Sequence, residues 1–311
     1  MIRILVTGGA GYIGSVLTPR LLEAGHHVTV IDNFMYGQTS LASCIRNPNF
    51  ELVYGDIRDK SLLKALLQKS DVIIPLAAIV GAPACDRNPT LAQSVNKDST
   101  IWLFEQIGQN QQVLMPTTNS AYGSGDKDNF CDETSPLKPL SLYAKDKVYV
   151  EERLMNLKNA TSFRLATVFG VSPRMRLDLL VNNFVFRAMT DKFVVLFESN
   201  FKRNYIHVID VVSVFELALT KPERFSGEIF NVGLSSANIS KLELCKEIAK
   251  FIPDFTFMEA PFGRDPDQRN YLVSNSKIES RGYKPQMTLQ QGIQELIKGL
   301  KMFDKRPFTN L

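Results

Sequence analysis

Apolar residues arrive in short runs, and amphipathic stretches separate those runs through the first half of the chain. Residues 3–7 carry Ile4, Leu5 and Val6 and lead into glycines at 8, 9, 11 and 14. A helix-period set follows (Ile13, Val16, Leu17, Leu21 and Leu22) and stops near Gly25. The next run, 27–31, ends at Asp32, and 50–54 reads as a third strand with Gly55, Asp56 and Ile57 at its carboxyl end. Leu62, Leu63, Leu66 and Leu67 predict a short helix over 61–68. Strands at 72–76 and 112–116 flank a long helix over 90–108, and a helix beginning near Ser141 precedes a sixth strand at 161–165. This alternation predicts an α/β fold, a doubly wound parallel sheet with helices on both faces. The Asp-, Gly- and Pro-rich stretch 124–140 reads as a surface loop. Beyond Gly170 the alternation loosens. That sets a boundary between a first domain, 1–170, and a smaller carboxyl-terminal lobe, 171–311, with some return to the main sheet at 229–232.

The spacing Gly8-x-x-Gly11-x-x-Gly14, set between a strand and a helix, is a variant of the dinucleotide fingerprint. Gly8 permits a sharp turn, Gly11 lets backbone approach a pyrophosphate, and Gly14 lets helix pack on strand. The exposed N–H groups and the positive dipole at the helix start suit phosphate. Asp32 ends the second strand, where a carboxylate accepts from the adenosine ribose hydroxyls and repels a 2′-phosphate. The expected cofactor is NAD, not NADP.

Composition narrows the picture without redirecting it. The chain has 311 residues, 44% of them hydrophobic, enough for a sizeable core. A net charge of +4 does not call for nucleic acid; a few local cations facing an anionic ligand account for it. Cys44, Cys85, Cys131 and Cys245 form no metal-type spacing, and with three histidines no metal site is expected. Reduced thiols, a start directly on the first strand, and an uncharged apolar stretch (72–85) too short for a bilayer all suggest a cytoplasmic protein.

Tyr143 and Lys147 stand one helical turn apart and project from one face. An ammonium beside a phenol favours phenolate, so the pair reads as a general base with its pKa lowered. Thr118, at the end of the fifth strand, supplies a hydroxyl to orient a substrate alcohol. Taken with these motifs, the chain resembles the extended short-chain dehydrogenase/reductases that act on nucleotide sugars. The resemblance covers nearly the whole chain. It runs through 7–14, Asp32-Asn33, 55–57, Leu76-Ala77-Ala78, Thr118 ahead of Tyr122-Gly123, Tyr143/Lys147, 164–170, 203–210 and 230–233.

That resemblance implies a Rossmann fold holding NAD, a carboxyl-terminal lobe for the sugar nucleotide, and a homodimer built on the helices around 97–108 and 143–157. Tyr12, Ile13, Asn33, Leu76, Ala77 and Ala78 would border the cofactor, Asp56 and Ile57 would contact adenine, and Asn96 would lie close to it. Thr118, Tyr143 and Lys147 would be catalytic, with Lys147 also holding the nicotinamide ribose. Arg203 and Arg269 would hold the substrate diphosphate, with Arg174, Arg176 and Asn182 as further substrate candidates. Asn119 and Ser120 stand where the 4,6-dehydratase branch carries an acid–base pair, which disfavours dehydration. Pro75 replaces the usual histidine. His207 and Trp102 read as core residues, and the charged run 298–306 as a solvated helix and tail. Within the family the chain is similar to dehydrogenases that oxidise C4 of a GDP-activated manno-heptose for surface polysaccharides. A 4-epimerase and, more remotely, a non-catalytic NAD-binding sensor are the alternatives.

Overall fold

The computed structural model describes residues 1–124, 130–260 and 269–302. Seven parallel strands form the main sheet. Its first five are β1 (Arg3–Thr7), β2 (His27–Asp32), β3 (Phe50–Tyr54), β4 (Val72–Pro75) and β5 (Gln112–Thr118). Across the sheet the order is Glu228–Val232, Ala160–Leu165, β5, β4, β1, β2, β3. β1 is interior, with Val6 opposite Val30 on one side and Ile74 on the other. The chain reverses direction across the sheet between β1 and β4. This is the doubly wound Rossmann arrangement, in which ligands bind at the carboxyl ends beside the reversal.

Local chemistry sets the helices. The first, α1 (Gly14–Glu23), buries Leu17, Leu21 and Leu22 against the sheet. The second, α2 (Lys60–Leu67), begins at Asp59, whose carboxylate accepts from the N–H groups of Ser61 and Leu62, both at 3.1 Å. Ser141 caps the helix Leu142–Leu154 by accepting from Ala144 N–H at 3.2 Å. The helix expected over 90–108 has a wider turn at Ser94–Asp98, between Pro89–Gln93 and Ser99–Glu105. That turn carries Asn96 inward.

The chain beyond 170 is divided between two cores. A three-stranded sheet (Thr167–Phe169, Lys202–His207 and Asn238–Ser240) packs with the helices Leu180–Thr190, Lys241–Ala249 and Leu289–Gly299. The helix Val208–Thr220 instead lies against α1, joined by Arg20 and Glu216 at 3.0 Å, and Phe215, Phe225 and Phe230 surround Phe163 of the main sheet. The strand Glu228–Val232 pairs with Ala160–Leu165, so the late element does return to the sheet. His207 is buried: its Nδ1 accepts from Ile209 N–H at 3.3 Å and its Nε2 lies 3.2 Å from Glu295. Trp102 is partly buried in the core beneath Lys60. Residues 125–129 of the expected surface loop and 303–306 of the charged tail fall outside the described residues. Among the described residues no helix is long and apolar enough to cross a membrane, and no group of three or more His, Cys, Asp or Glu is placed to hold a metal.

Candidate active site

A cavity of about 440 Å³ opens at the carboxyl ends of β1, β2, β4 and β5. Its floor is the glycine turn. Gly8 has φ +68°, and a Cβ there would come within 2.6 Å of the Ala77 backbone; a Cβ on Gly14 would meet Gly9 backbone at 2.5 Å. Neither neighbour can yield, so both positions require glycine. Gly11, Tyr12 and Ile13 complete the turn's contribution to the cavity wall.

Asp32 is anchored at the rim, its carboxylate accepting from Ala10 N–H at 3.0 Å and Phe34 N–H at 2.8 Å. Burial pushes that carboxyl upward, while the two N–H donors and the nearby Arg174 oppose the shift. Asn33 donates to Asp56 at 3.3 Å, and Arg58 pairs with Asp56 at 2.8 Å, holding its carboxyl down at about 2. Ile57, Leu76, Ala77 and Ala78 line the same cavity, and Ala77 N–H donates to Thr7 Oγ1 at 3.2 Å. Small residues, an uncharged turn and a carboxylate at the second strand's end fit a dinucleotide lying across the strand ends.

Thr118, Tyr143 and Lys147 all face this cavity. Thr118 ends β5; its hydroxyl donates to Ser120 Oγ at 2.9 Å and accepts from Ser120 N–H at 3.1 Å. Ser120 Oγ also accepts from Arg269 Nη1. Asn119 is buried, and its amide has no hydrogen-bond partner among the described residues.

One expectation needs correction here. Among the described residues no hydrogen bond joins Tyr143 to Lys147, and the phenol is not lowered. Burial pushes it up to about 12, and the cations that oppose this are Arg176 and Arg269. The same burial pulls Lys147 down to about 8. Desolvation disfavours both charged forms and outweighs the attraction expected from their spacing.

A buried network locks this helix to its strand, and sequence reasoning passed over it. Glu151, one turn beyond Lys147, accepts from Thr117 Oγ1 at 2.8 Å, Ser162 Oγ at 2.6 Å and Arg164 Nη2 at 2.6 Å. Arg164 also donates to Tyr122 Oη at 3.0 Å, which in turn donates to Asn231 Oδ1 at 2.7 Å. The signal available beforehand was an acid four residues after Lys147 on the helix face turned toward the sheet.

Other assignments also shift. Asn96 does not line the cavity; its amide brackets the Ile79 peptide, accepting from N–H at 2.7 Å and donating to C=O at 2.8 Å. It therefore holds the loop that does line the cavity, through Ile79 and Gly81. Asn182 is also turned away. It accepts from Gly170 N–H at 3.0 Å and donates to Arg176 C=O at 2.9 Å, fixing the chain reversal at 170. Arg203 is buried on Lys202–His207, outside the wall of this cavity, because that strand belongs to the second sheet. Arg174, Arg176 and Arg269 do reach the cavity, whereas residues 265–268 before Arg269 lie outside the described residues. Met35, Tyr36 and Gln38, after Asp32, line it as well and carried no motif.

Comparison with known proteins agrees with this geometry. CDP-paratose 2-epimerase of Salmonella typhi is 27% identical, over 94% of this chain and 98% of its own. Low-salt glycan biosynthesis protein Agl12 of Haloferax volcanii is 25% identical, over 94% of this chain and 97% of its own. The crystal structure of the Thermus thermophilus UDP-glucose 4-epimerase in complex with NAD superimposes with a TM-score of 0.83 at 25% identity, covering 96% of this chain and 99% of that one. The model of the NAD dependent epimerase/dehydratase family matches residues 4–233, from the first strand to the glycine after the last strand of the sheet. The chain belongs to that family.

Proposed function

We propose that the protein oxidises the C4 hydroxyl of a nucleotide-activated sugar to a 4-ketone, as a 4-dehydrogenase of surface-polysaccharide synthesis in the cytoplasm. A GDP-heptose-like sugar is the substrate we favour. The observation that supports this is convergence: Thr118, Tyr143 and Lys147 line one cavity with the glycine turn and Asp32. NAD, when bound, supplies the acceptor for the hydride of C4. Thr118 orients the C4 hydroxyl, and the Tyr143 phenolic oxygen takes its proton. Lys147 stabilises the phenolate that this requires and holds the nicotinamide ribose. Arg269 serves the substrate diphosphate, since a planar guanidinium suits phosphate. Dehydration is disfavoured because neither Asn119 nor Ser120 titrates usefully.

A second reading, a nucleotide-sugar 4-epimerase, uses the same residues and returns the hydride to the opposite face. The structural likeness to a UDP-glucose 4-epimerase supports it. Incubating GDP- and UDP-sugars with the enzyme in deuterated water, followed by mass spectrometry and NMR, separates the two. A 4-ketone with NADH formed supports the dehydrogenase; an inverted C4 without net NADH supports the epimerase. A 6-deoxy-4-keto product, lighter by one water, contradicts both.

A further inference from the structure

Residues 170–174 are fastened onto the glycine turn by a chain of buried hydrogen bonds. Tyr12 Oη donates to Gly170 C=O at 2.7 Å, and Ser172 Oγ donates to Tyr12 C=O at 2.7 Å. Ser172 Oγ lies 3.0 Å from Ser15 Oγ, and Arg174 N–H reaches both hydroxyls at 3.3 Å. The backbone of Arg174 is therefore fixed beside the first turn of α1, although 159 residues separate it from Ser15. Arg174 is 6% exposed and lines the cavity together with Gly11, Ile13 and Gly14. The guanidinium donates to Met175 C=O and lies 4.6 Å from the centre of the Tyr36 ring, which gives it a flat shelf facing the cleft.

We propose that Arg174 is a cofactor residue: the cation, supplied by the second half of the chain, that faces the pyrophosphate of NAD across the start of α1. This rests on the NAD reading above and moves Arg174 from the substrate side of the cleft to the cofactor side. α1 has no side-chain cap and no basic residue in its first turn, so the helix meets the anion with backbone and dipole alone. Two phosphate charges then call for a side-chain cation from elsewhere. Among the described residues five basic residues line the cavity, and four are placed for other work. Arg58 pairs with Asp56, Arg176 with Asp178, Arg269 reaches Ser120 beside Thr118, and Lys147 stands with Tyr143 on the Leu142–Leu154 helix. Arg174 is the one fastened to the turn. Burial and the neighbouring Arg176 both disfavour its charge, a cost that a bound dianion relieves.

Calorimetric titration of the full-length chain tests this with NAD and with adenosine, which lacks phosphate. Arg174→Met should weaken NAD about 10- to 100-fold, the loss expected for a charge-assisted hydrogen bond, while adenosine binding stays within about threefold. Arg174→Lys should fall between, because a point charge replaces a fork. GDP and UDP binding to the NAD-saturated variants should be unchanged. The assignment is overturned if folded Arg174→Met binds NAD within about threefold of wild type. It is equally overturned if adenosine suffers the same loss, or if only GDP and UDP binding falls. Should the methionine variant not fold, Arg174→Lys and Ser172→Ala carry the test: each must weaken NAD more than adenosine. Wild-type protein that binds no NAD removes the NAD reading itself, and this assignment with it.

Discussion

The wall of the cleft formed by the glycine turn, Asp32 and 76–78 is built from backbone and small side chains, whereas Arg176 and Arg269 bring guanidinium groups to the facing wall. The first wall gets its shape from contacts too close for any Cβ, as at Gly8 and Gly14. It cannot move far without breaking the sheet that carries it. The second gets its shape from long side chains held by specific partners: Arg176 on Asp178 and Arg269 on Ser120. A rigid wall suits a ligand shared by a whole family. Under the proposed function, a wall of long side chains is where one nucleotide sugar would be told from another. Tyr143, Lys147 and Thr118 line the same cleft.

The sharpest way to break this division is to remove the group that both walls serve. Tyr143→Phe keeps the ring and should leave folding and NAD affinity nearly unchanged, while turnover falls about 10²- to 10⁴-fold, as for loss of a general base. NADH formation at 340 nm, with melting temperature as the control, measures it. A variant within a few-fold of wild type would place the chemistry elsewhere.

Next in size is damage to the rigid wall. Gly8→Ala introduces a Cβ 2.6 Å from the Ala77 backbone at a φ of +68°, so either the turn or β4 must shift. Strain of about 1–3 kcal/mol is expected, with NAD binding weakened by at least about tenfold. Equal NAD affinity in the alanine variant would mean the turn is softer than its contacts imply.

The side-chain wall should respond differently. Arg269→Met should weaken GDP or UDP binding by about 1.5–3 kcal/mol, the value of a hydrogen bond to a charged group, with little effect on NAD. If NAD is lost instead, the two walls are not separate in function.

The contrast also explains what could be read from sequence. The rigid wall was legible because its geometry is local: strand, glycine spacing, helix and acid follow one another within 32 residues. The sheet was legible for the same reason, since each strand announces itself by apolar content. The wide turn at 94–98 was not, because it exists to turn Asn96 onto Ile79, a partner 17 residues away. Asn182 became a substrate candidate through the family resemblance alone, yet its partners are the backbones of Gly170 and Arg176. The Glu151–Arg164 pair is fixed only when the helix lies on the sheet. The direction of the Tyr143 shift was missed for a related reason. Spacing along a helix reveals which charges are neighbours but not how far water is excluded from them.

Lys147 turns that last point into the smallest and most counterintuitive expectation. Its pKa is about 8 in the folded protein against an ordinary 10.5, with burial as the largest cause. Below pH 8 the ammonium is charged in both states, and the folded state carries the full desolvation cost. Between about pH 8 and 10.5 the unfolded chain holds a proton that the folded chain has released. Stability of the wild type should therefore rise with pH across that window. Lys147→Met keeps a chain of similar length in the same pocket and has no charge to desolvate. Without NAD, it should melt about 2–5 °C above wild type at pH 7, on the usual scale of a few degrees per kcal/mol for a protein of this size. That advantage should shrink steadily toward pH 10, and the variant should lose turnover at every pH, since a residue kept for chemistry need not be optimal for stability. Melting curves at pH 7, 8, 9 and 10 suffice. A variant that melts below wild type at neutral pH would show that Lys147 gains more from its surroundings than burial takes away.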